Sequence, residues 1–421
     1  MATKFLQRIQ RLYHGWWVVL SGATVLMLSS GSHSGGSMGL FFVSLIREFG
    51  WSRTLISGAF TVVRIEGTIL GPFEGYMTDR LGPHRMIALG FVILAIGFFV
   101  LSVVSHPVHF YIAMVVMATG ASIGSYIPVM VAVNWWYNKK RNTAMGLAQA
   151  GFGMGILLSP IIAWGITQFD WRTTAIGLGV VLLITGIPLS RMFRSRPTQE
   201  NPAEEAVSEE KSTQVSTQID AGEEFTIREA IRTRAFWIIP MVHGASQFTT
   251  MAVYVHGVPH LTDVGLHLQA ASYAMAAYGV IEILTRVLLG SIGDRVDKRH
   301  AIFFYCTVQS LGVVALAYAR NIPTSFLFSL LFGIGHGGRG PLLAAIRGEY
   351  FGRKSFGTIL GIGSLVTSLA GMTTPLALGI LYDTQGTYLP GFLIMSALTF
   401  LGGFLILGAA RPTLIKKNPQ D

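Results

Sequence analysis

The chain has 421 residues, of which 51% are hydrophobic and only 12% charged, about half the charged fraction of an ordinary soluble domain. Its single cysteine, Cys306, excludes an internal disulfide framework and a cysteine-based zinc site. The formal charge of +10 would suit a nucleic-acid partner only as a basic face on a folded domain, and no such face is written here, because the basic residues lie between apolar segments.

A transmembrane helix needs about 20 consecutive, mostly apolar residues. In chain order such stretches run over Trp16–Leu45, Thr54–Met77, Met86–Val104, Phe110–Trp136, Ala144–Thr167 and Thr174–Phe193. Six more follow at Phe236–Val258, Ala270–Ile292, Ala301–Ala319, Pro323–Ile346, Phe356–Leu381 and Tyr388–Ala410. The connections are mostly short, so the pattern predicts an all-α membrane protein with twelve transmembrane helices rather than soluble domains with buried core helices. With the N-terminus inside, twenty-three Lys and Arg fall on the cytoplasmic side, against four (Arg47, Arg53, Arg172 and Arg320) on the other. That asymmetry predicts both termini in the cytoplasm. The first span is too long for a secretory signal and lacks its cleavage site, so it is expected to stay in place, in the plasma (inner) membrane.

Between the sixth and seventh spans Ser195–Phe225 carries eight acidic residues among Ser, Thr, Gln and Pro. It reads as a solvated linker, followed by a short amphipathic helix over Thr226–Arg234. The expected division is a six-helix bundle over 1–193, a cytoplasmic linker over 194–233 and a second six-helix bundle over 234–421. The two bundles repeat each other. A shift of 215 residues lays Gly50 on Gly265, Ser57 on Ser272, Gly75 on Gly290, Asp79 on Asp294, Arg80 on Arg295, Gly146 on Gly361 and Pro160 on Pro375. Parallel repeats about an axis along the membrane normal are a transporter architecture, with the site near the midplane.

The loop after the second span, Gly75-Tyr-Met-Thr-Asp79-Arg80-Leu-Gly82-Pro-His84-Arg85, resembles the signature G-x-x-x-D-R-x-G-x-R-R of the major facilitator superfamily. Gly290-Ser-Ile-Gly-Asp294-Arg295 is a shorter copy in the second half. The resemblance spans the chain and implies the major facilitator fold, with Gly75, Asp79, Arg80, Arg85, Asp294 and Arg295 as gating residues that latch the halves. A simple helix stop is the competing reading of the loop. The family's arginine in the fourth span has no counterpart in Met114–Gly120. Gly155-Ile-Leu-Leu-Ser159-Pro160 matches an antiporter-type G-x-x-x-G-P pattern only in part.

Ionisable residues at membrane depth are costly unless used or paired. Glu282 and Arg286 stand four apart in the eighth span, with the acid first, as suits a helical ion pair. An arginine held by a glutamate presents a planar fork to a substrate carboxylate; a purely structural pair is the alternative. The acidic-x-x-x-Arg pattern here looks like that of the monocarboxylate porters, and the oxalate/formate antiporters also carry an arginine at this place. His14-Gly15-Trp16-Trp17-Val18-Val19 is similar to the porters' D-G-G-W-G-W-V motif, with His in place of the acid. The resemblance implies that Arg286 binds the carboxylate and Glu282 assists. The porters' lysine late in the first span and the antiporters' lysine in the eleventh are both missing from this chain.

A second cation is available in Gly335-His336-Gly337-Gly338-Arg339-Gly340-Pro341, where the glycines admit a close neighbour and Pro341 frees a carbonyl. Arg64 and Glu66 lie mid-way along the second span, on nearly opposite faces. Arg347 is expected to snorkel from its helix end. Ser29–Ser37 is too polar and glycine-rich for lipid and is expected to line the transport path. Its His33, with His336, is a candidate ligand for an anion or proton; satisfied structural histidines are the alternative, and His243, His256 and His260 are weaker candidates. No metal-site spacing, phosphate-binding loop or nucleophile elbow is present, so an enzyme, a cofactor and a metal are not expected. The sequence predicts a secondary transporter of small organic anions, monocarboxylates foremost, with protons or a counter-anion as coupled species, the lipid bilayer as its surroundings and no nucleic acid. Its substrate-binding candidates are Arg286, Glu282, Arg339, Arg64, His33 and His336. The alternatives are efflux of amphiphilic compounds and a non-transporting membrane sensor on the same fold.

Overall fold

Long apolar runs cut by Gly, Pro and capping residues fold as helices because each backbone group must find its partner within the segment once water is absent. The computed structural model describes residues 14–33, 35–137, 141–193, 225–292, 297–351 and 356–412. The first half holds α1 (His14–His33), α2 (Gly35–Phe49), α3 (Arg53–Leu81), α4 (Pro83–Ser102), α5 (Pro107–Gly124), α6 (Tyr126–Trp136), α7 (Arg141–Gly155), α8 (Ser159–Phe169) and α9 (Trp171–Arg191). The second holds α10 (Ile227–Ile231), α11 (Arg234–Asp263), α12 (Leu268–Ile292), α13 (Lys298–Ala317), α14 (Ile322–Phe351), α15 (Phe356–Gln385) and α16 (Leu389–Leu405). These helices make the twelve spans, two of which are interrupted at described residues. Six helical stretches among the described residues are, by length and composition alone, apolar enough to cross a bilayer. Leu20, Ile184, Leu288 and Phe404 are each more than half exposed, which suits lipid and would be a liability in water.

The interruptions have local causes. Pro160 has no N–H for the carbonyl of Ile156, so the fifth span tightens to a 3-10 turn over Ile156–Leu158. The Ser159 hydroxyl donates to that carbonyl instead, at 2.7 Å. The fourth span breaks at Ser125, three residues before Pro128, where the Ser125 hydroxyl donates to the Ala121 carbonyl at 2.6 Å. The short helix expected over Thr226–Arg234 is present as α10, closed by a Thr226/Glu229 capping box. The acidic run before it lies outside the described residues.

Compactness divides the chain into Met1–Ser44 with Val62–Gln214, and Leu45–Thr61 with Val215–Asp421. The segment Leu45–Thr61, which carries the first turns of α3, thus packs within the second unit. In the first unit α4 packs on α5 and α9, and α1 on α7; in the second α13 packs on α14 and α16, and α11 on α15. These are the same pairs 215 residues on. The repeat extends to single contacts: Gly97 abuts Met117 and Gly120 abuts Leu94, as Gly312 abuts Phe332 and Gly335 abuts Gln309. Gly50 and Gly265 both turn the chain with positive φ, 66° and 99°, a conformation that costs other residues about 1–2 kcal/mol.

Glycine also lets backbones meet. A Cβ on Gly90 of α4 would collide with the main chain of Gly124 and Gly120 on α5, whereas one on Gly146 of α7 meets nothing within 4 Å. Gly90→Val is therefore expected to destabilise the protein by about 3 kcal/mol or more through overpacking. Gly146→Ala should be neutral or stabilise it by about 0.5–1 kcal/mol. Thermal unfolding of the two variants in detergent checks the contrast.

Outside the spans, Asp297 caps α13 by accepting from the backbone N–H groups of Arg299 at 2.9 Å and His300 at 3.2 Å. Slight desolvation works to raise its carboxyl. The bonds from His300 and Arg299, backbone and side chain, outweigh it and hold the group down at about 2.

Candidate functional site

The second unit draws its polar residues together through three helices. On α12, Tyr278, Glu282 and Arg286 recur every fourth residue and share a face. On α14 the glycine run removes side-chain bulk where it touches α12 and α13. Gly337 lies against the backbone of Glu282, Gly335 against that of Gln309, and Gly338 against the ring of Tyr305. This close approach sets His336 beside Glu282. Arg286 Nη2 lies 2.5 Å from Glu282 Oε1, and His336 Nδ1 lies 3.2 Å from the same oxygen. The Tyr278 hydroxyl is 3.0 Å from His336 Nδ1 and 3.1 Å from the Tyr254 hydroxyl of α11. The His336 ring stacks on Phe332 at 5.8 Å between centroids.

The two members of the ion pair sit in different surroundings. The Glu282 side chain is 5% exposed, whereas that of Arg286 is 40% exposed. Glu282 is thus an inner anchor, and the arginine presents its remaining donors outward. Such an arrangement can accept a carboxylate in fork geometry, exchange one anionic partner for another, and hold a proton on the His336–Tyr278–Tyr254 chain.

Arg339 is 2% exposed, and its Nε and Nη1 have no hydrogen-bond partner among the described residues. It feels the charges of Arg286 and Glu282. Arg347, expected to snorkel, is instead 3% exposed, because it faces inward: its Nη2 is 3.5 Å from His243 Nδ1 and packs near Gly363 of α15. Its Nε has no partner among the described residues.

In the first unit, His33 Nδ1 is 2.6 Å from the Ser29 carbonyl, and the ring feels the charge of Arg64. Glu66 accepts from the Thr119 hydroxyl of α5 at 2.7 Å, while Arg64 is exposed on a different face. Ser29, Ser30, Ser32 and Ser37 are buried, and Ser30 donates to the Phe152 carbonyl at 3.2 Å. His256 and His260 are satisfied within the second unit. His256 bridges the Tyr388 hydroxyl and the Pro375 carbonyl, and His260 meets the Leu316 carbonyl at 2.9 Å.

Of the loop residues, Asp79 and Arg85 are exposed, and the Arg80 guanidinium lies over the Tyr76 ring at 4.7 Å. Gly75 lies within α3, and Asp294 and Arg295 are outside the described residues. Among the described residues no group of three His, Cys, Asp or Glu is placed to hold a metal. A cavity of 290 Å³ lies elsewhere, lined by Asp297, Lys298, Arg299, Glu349 and Arg411 among others. Four of its charged residues pair with one another, Lys298 with Glu349 at 2.7 Å and Arg299 with Asp297 at 3.3 Å.

Two features have little or no signal in the sequence. Tyr278 is detectable as the residue one turn before Glu282, but Tyr254 comes from another helix and carries no local mark. The other feature is Arg53. Arg53 Nη2 pairs with both carboxylate oxygens of Asp263, at 2.7 and 2.9 Å, Nη1 donates to the Tyr388 hydroxyl at 3.1 Å, and the guanidinium lies 4.3 Å from the Tyr382 ring centroid. The backbone N–H groups of Arg53 and Thr54 donate to the two carboxylate oxygens of Asp383, at 3.0 and 2.8 Å.

A family model for the Major Facilitator Superfamily matches residues 20–332 and 246–421. Monocarboxylate transporter 13 of Bos taurus is 22% identical over 401 residues, covering 93% of this chain and 88% of that protein. An uncharacterized MFS-type transporter of Bacillus subtilis, YcxA, is 26% identical over 411 residues, covering 93% and 94%. In fold, the chain is similar to a bacterial homologue of the human lysosomal transporter Spinster in an inward-facing, occupied conformation. The TM-score is 0.72 at 13% identity, covering 93% of this chain and 96% of that one.

Proposed function

The chain belongs to the Major Facilitator Superfamily, whose members are membrane transporters rather than enzymes, and on that premise we propose that it carries small organic anions, monocarboxylates foremost, by alternating access. The observation that carries this reading is the ion pair itself, a buried Glu282 holding a half-exposed Arg286. A carboxylate that reaches Arg286 takes over part of its charge, and Glu282 passes to His336, 3.2 Å away. The permanent charge of arginine favours an anion over a lipophilic cation, which weighs against efflux of amphiphilic cations. Similarity to monocarboxylate transporter 13 supports the same substrate class. Arg339, Arg64, His33 and His336 are the further substrate contacts. Gly75, Asp79, Arg80 and Arg85, with Asp294 and Arg295, are the gating residues. Protons or a counter-anion are the coupled species. The basic-residue asymmetry supports both termini in the cytoplasm and a place in the plasma (inner) membrane.

Uptake into sealed proteoliposomes tests this reading. Radiolabelled lactate or butyrate should accumulate beyond leak when a proton or anion gradient is imposed. Binding without accumulation would instead identify a sensor, and protection of cells by extrusion of unrelated lipophilic cations would identify an efflux pump.

A further inference from the structure

The charges around Arg286 do not balance. Arginine stays protonated in proteins, so Arg286, Arg339 and Arg347 place three fixed positive charges on the inward faces of α12 and α14. Glu282 is the acid facing them among the described residues, and it is already engaged by Arg286 and His336. Of the other described acids of the second unit, Asp263 is bound to Arg53, Asp383 to the backbone of Arg53 and Thr54, Glu349 to Lys298, Asp297 to Arg299 and Glu229 to Thr226, while Glu48 belongs to the end of α2. Arg339 is the largest anomaly, because it is 2% exposed and two of its nitrogens have no acceptor among the described residues. Natural interiors seldom bury an unpaired donor, still less a charged one. Arg347, also buried, repeats the anomaly through its Nε. His243 stands within the field of both arginines; its Nδ1 accepts from Arg347 Nη2 at 3.5 Å, which leaves its Nε2–H as the donor it can offer.

We propose that Arg339, backed by Arg347 and His243, forms a second anionic subsite beside Arg286, so that the loaded transporter holds two anionic groups at once. The second group is either the far carboxylate of a dicarboxylate or a separate small inorganic anion bound together with a monocarboxylate. The inference rests on the reading of Arg286 as the first carboxylate site. It also gives Gly340 a purpose beyond packing, since a Cβ there would meet nothing within 4 Å.

The test is ligand-induced thermal stabilisation of the purified full-length protein with butyrate, malonate and succinate. Each is titrated with and without chloride, a bulky sulfonate keeping the ionic strength constant. A dicarboxylate source predicts that malonate or succinate binds at least about tenfold more tightly than butyrate, and a separate anion predicts that chloride tightens butyrate by a similar factor. Arg339→Gln should collapse whichever preference the wild type shows to below about threefold, and Arg339→Lys should retain part of it. Should Arg339→Gln fail to fold, the wild-type comparison and the lysine variant decide alone. Butyrate binding that depends on Arg286, with neither a dicarboxylate preference nor a chloride effect, overturns the second subsite and leaves the first. Carboxylate binding unchanged by Arg286→Gln overturns the first site and this inference with it, as does the absence of any anion-dependent stabilisation.

Discussion

Arg286→Gln should weaken carboxylate binding by about 10- to 100-fold, the loss expected when a charge-assisted hydrogen bond worth about 1.5–3 kcal/mol disappears. The fold should survive it. Arg286 is 40% exposed, and the Glu282 it leaves behind keeps its contact with His336 at 3.2 Å. Arg286→Lys keeps the charge but loses the planar fork, so its affinity should fall between wild type and the glutamine variant. Glu282→Gln makes a different demand. On the proposed reading, Glu282 competes with the substrate for the same guanidinium, and by recapturing it helps the substrate leave. Without that competitor equilibrium binding should hold or tighten while turnover falls. Calorimetric titration of the purified protein, set beside initial uptake rates in proteoliposomes, separates the two quantities. Equal losses of binding and turnover in Glu282→Gln would place the carboxylate elsewhere.

Asp263→Ala is expected to cost about 2–4 kcal/mol of stability. That is toward the lower end of the cost of removing one partner from a buried pair, because the Asp263 side chain is still 28% exposed. Arg53 would remain buried with the Tyr388 hydroxyl and the Tyr382 ring face as its remaining partners. The discriminating variant is the double one. Arg53→Met with Asp263→Leu removes both charges and fills the space with apolar atoms, so it should unfold at a higher temperature than Asp263→Ala. Thermal unfolding in detergent measures both. A double variant no more stable than the single would mean that the aromatic and backbone contacts of Arg53, rather than its charge pair, hold this region.

What the sequence discloses and what it hides divide along a physical line. Periodicity and composition report on a residue's own helix, so the spans, the short helix at Thr226 and the i, i+4 pair of Glu282 and Arg286 are all readable. The 215-residue repeat is readable because both halves need glycine at the same backbone approaches. Arg53 reads as one more basic residue on the outer side, since its partners Asp263, Tyr382, Asp383 and Tyr388 lie more than 200 positions away. Arg347 misleads for the same reason. Nearness to a helix end suggests snorkelling, and only the packing of α11 and α15 around it reveals that it is enclosed. The interruptions at Ser125 and Ser159 are only half legible, because the prolines are visible but the serine hydroxyls that replace the missing donors depend on rotamer.

The two bonds from the Arg53 and Thr54 amides to Asp383 bear on the order in which the chain is built. A helix ordinarily satisfies its first amides with a side chain a residue or two upstream. The Ser52 hydroxyl does accept from Leu55 at 3.1 Å, but the amides of Arg53 and Thr54 are completed by a carboxylate roughly 330 positions later. Loop closure over such a span is slow relative to helix growth. During synthesis the second span is therefore expected to form with a frayed start and to be finished only when α15, next to last of the helices, has emerged. Early in biogenesis the first half of the chain is thus expected to be incomplete at the start of its second span, however well the rest of that half has packed.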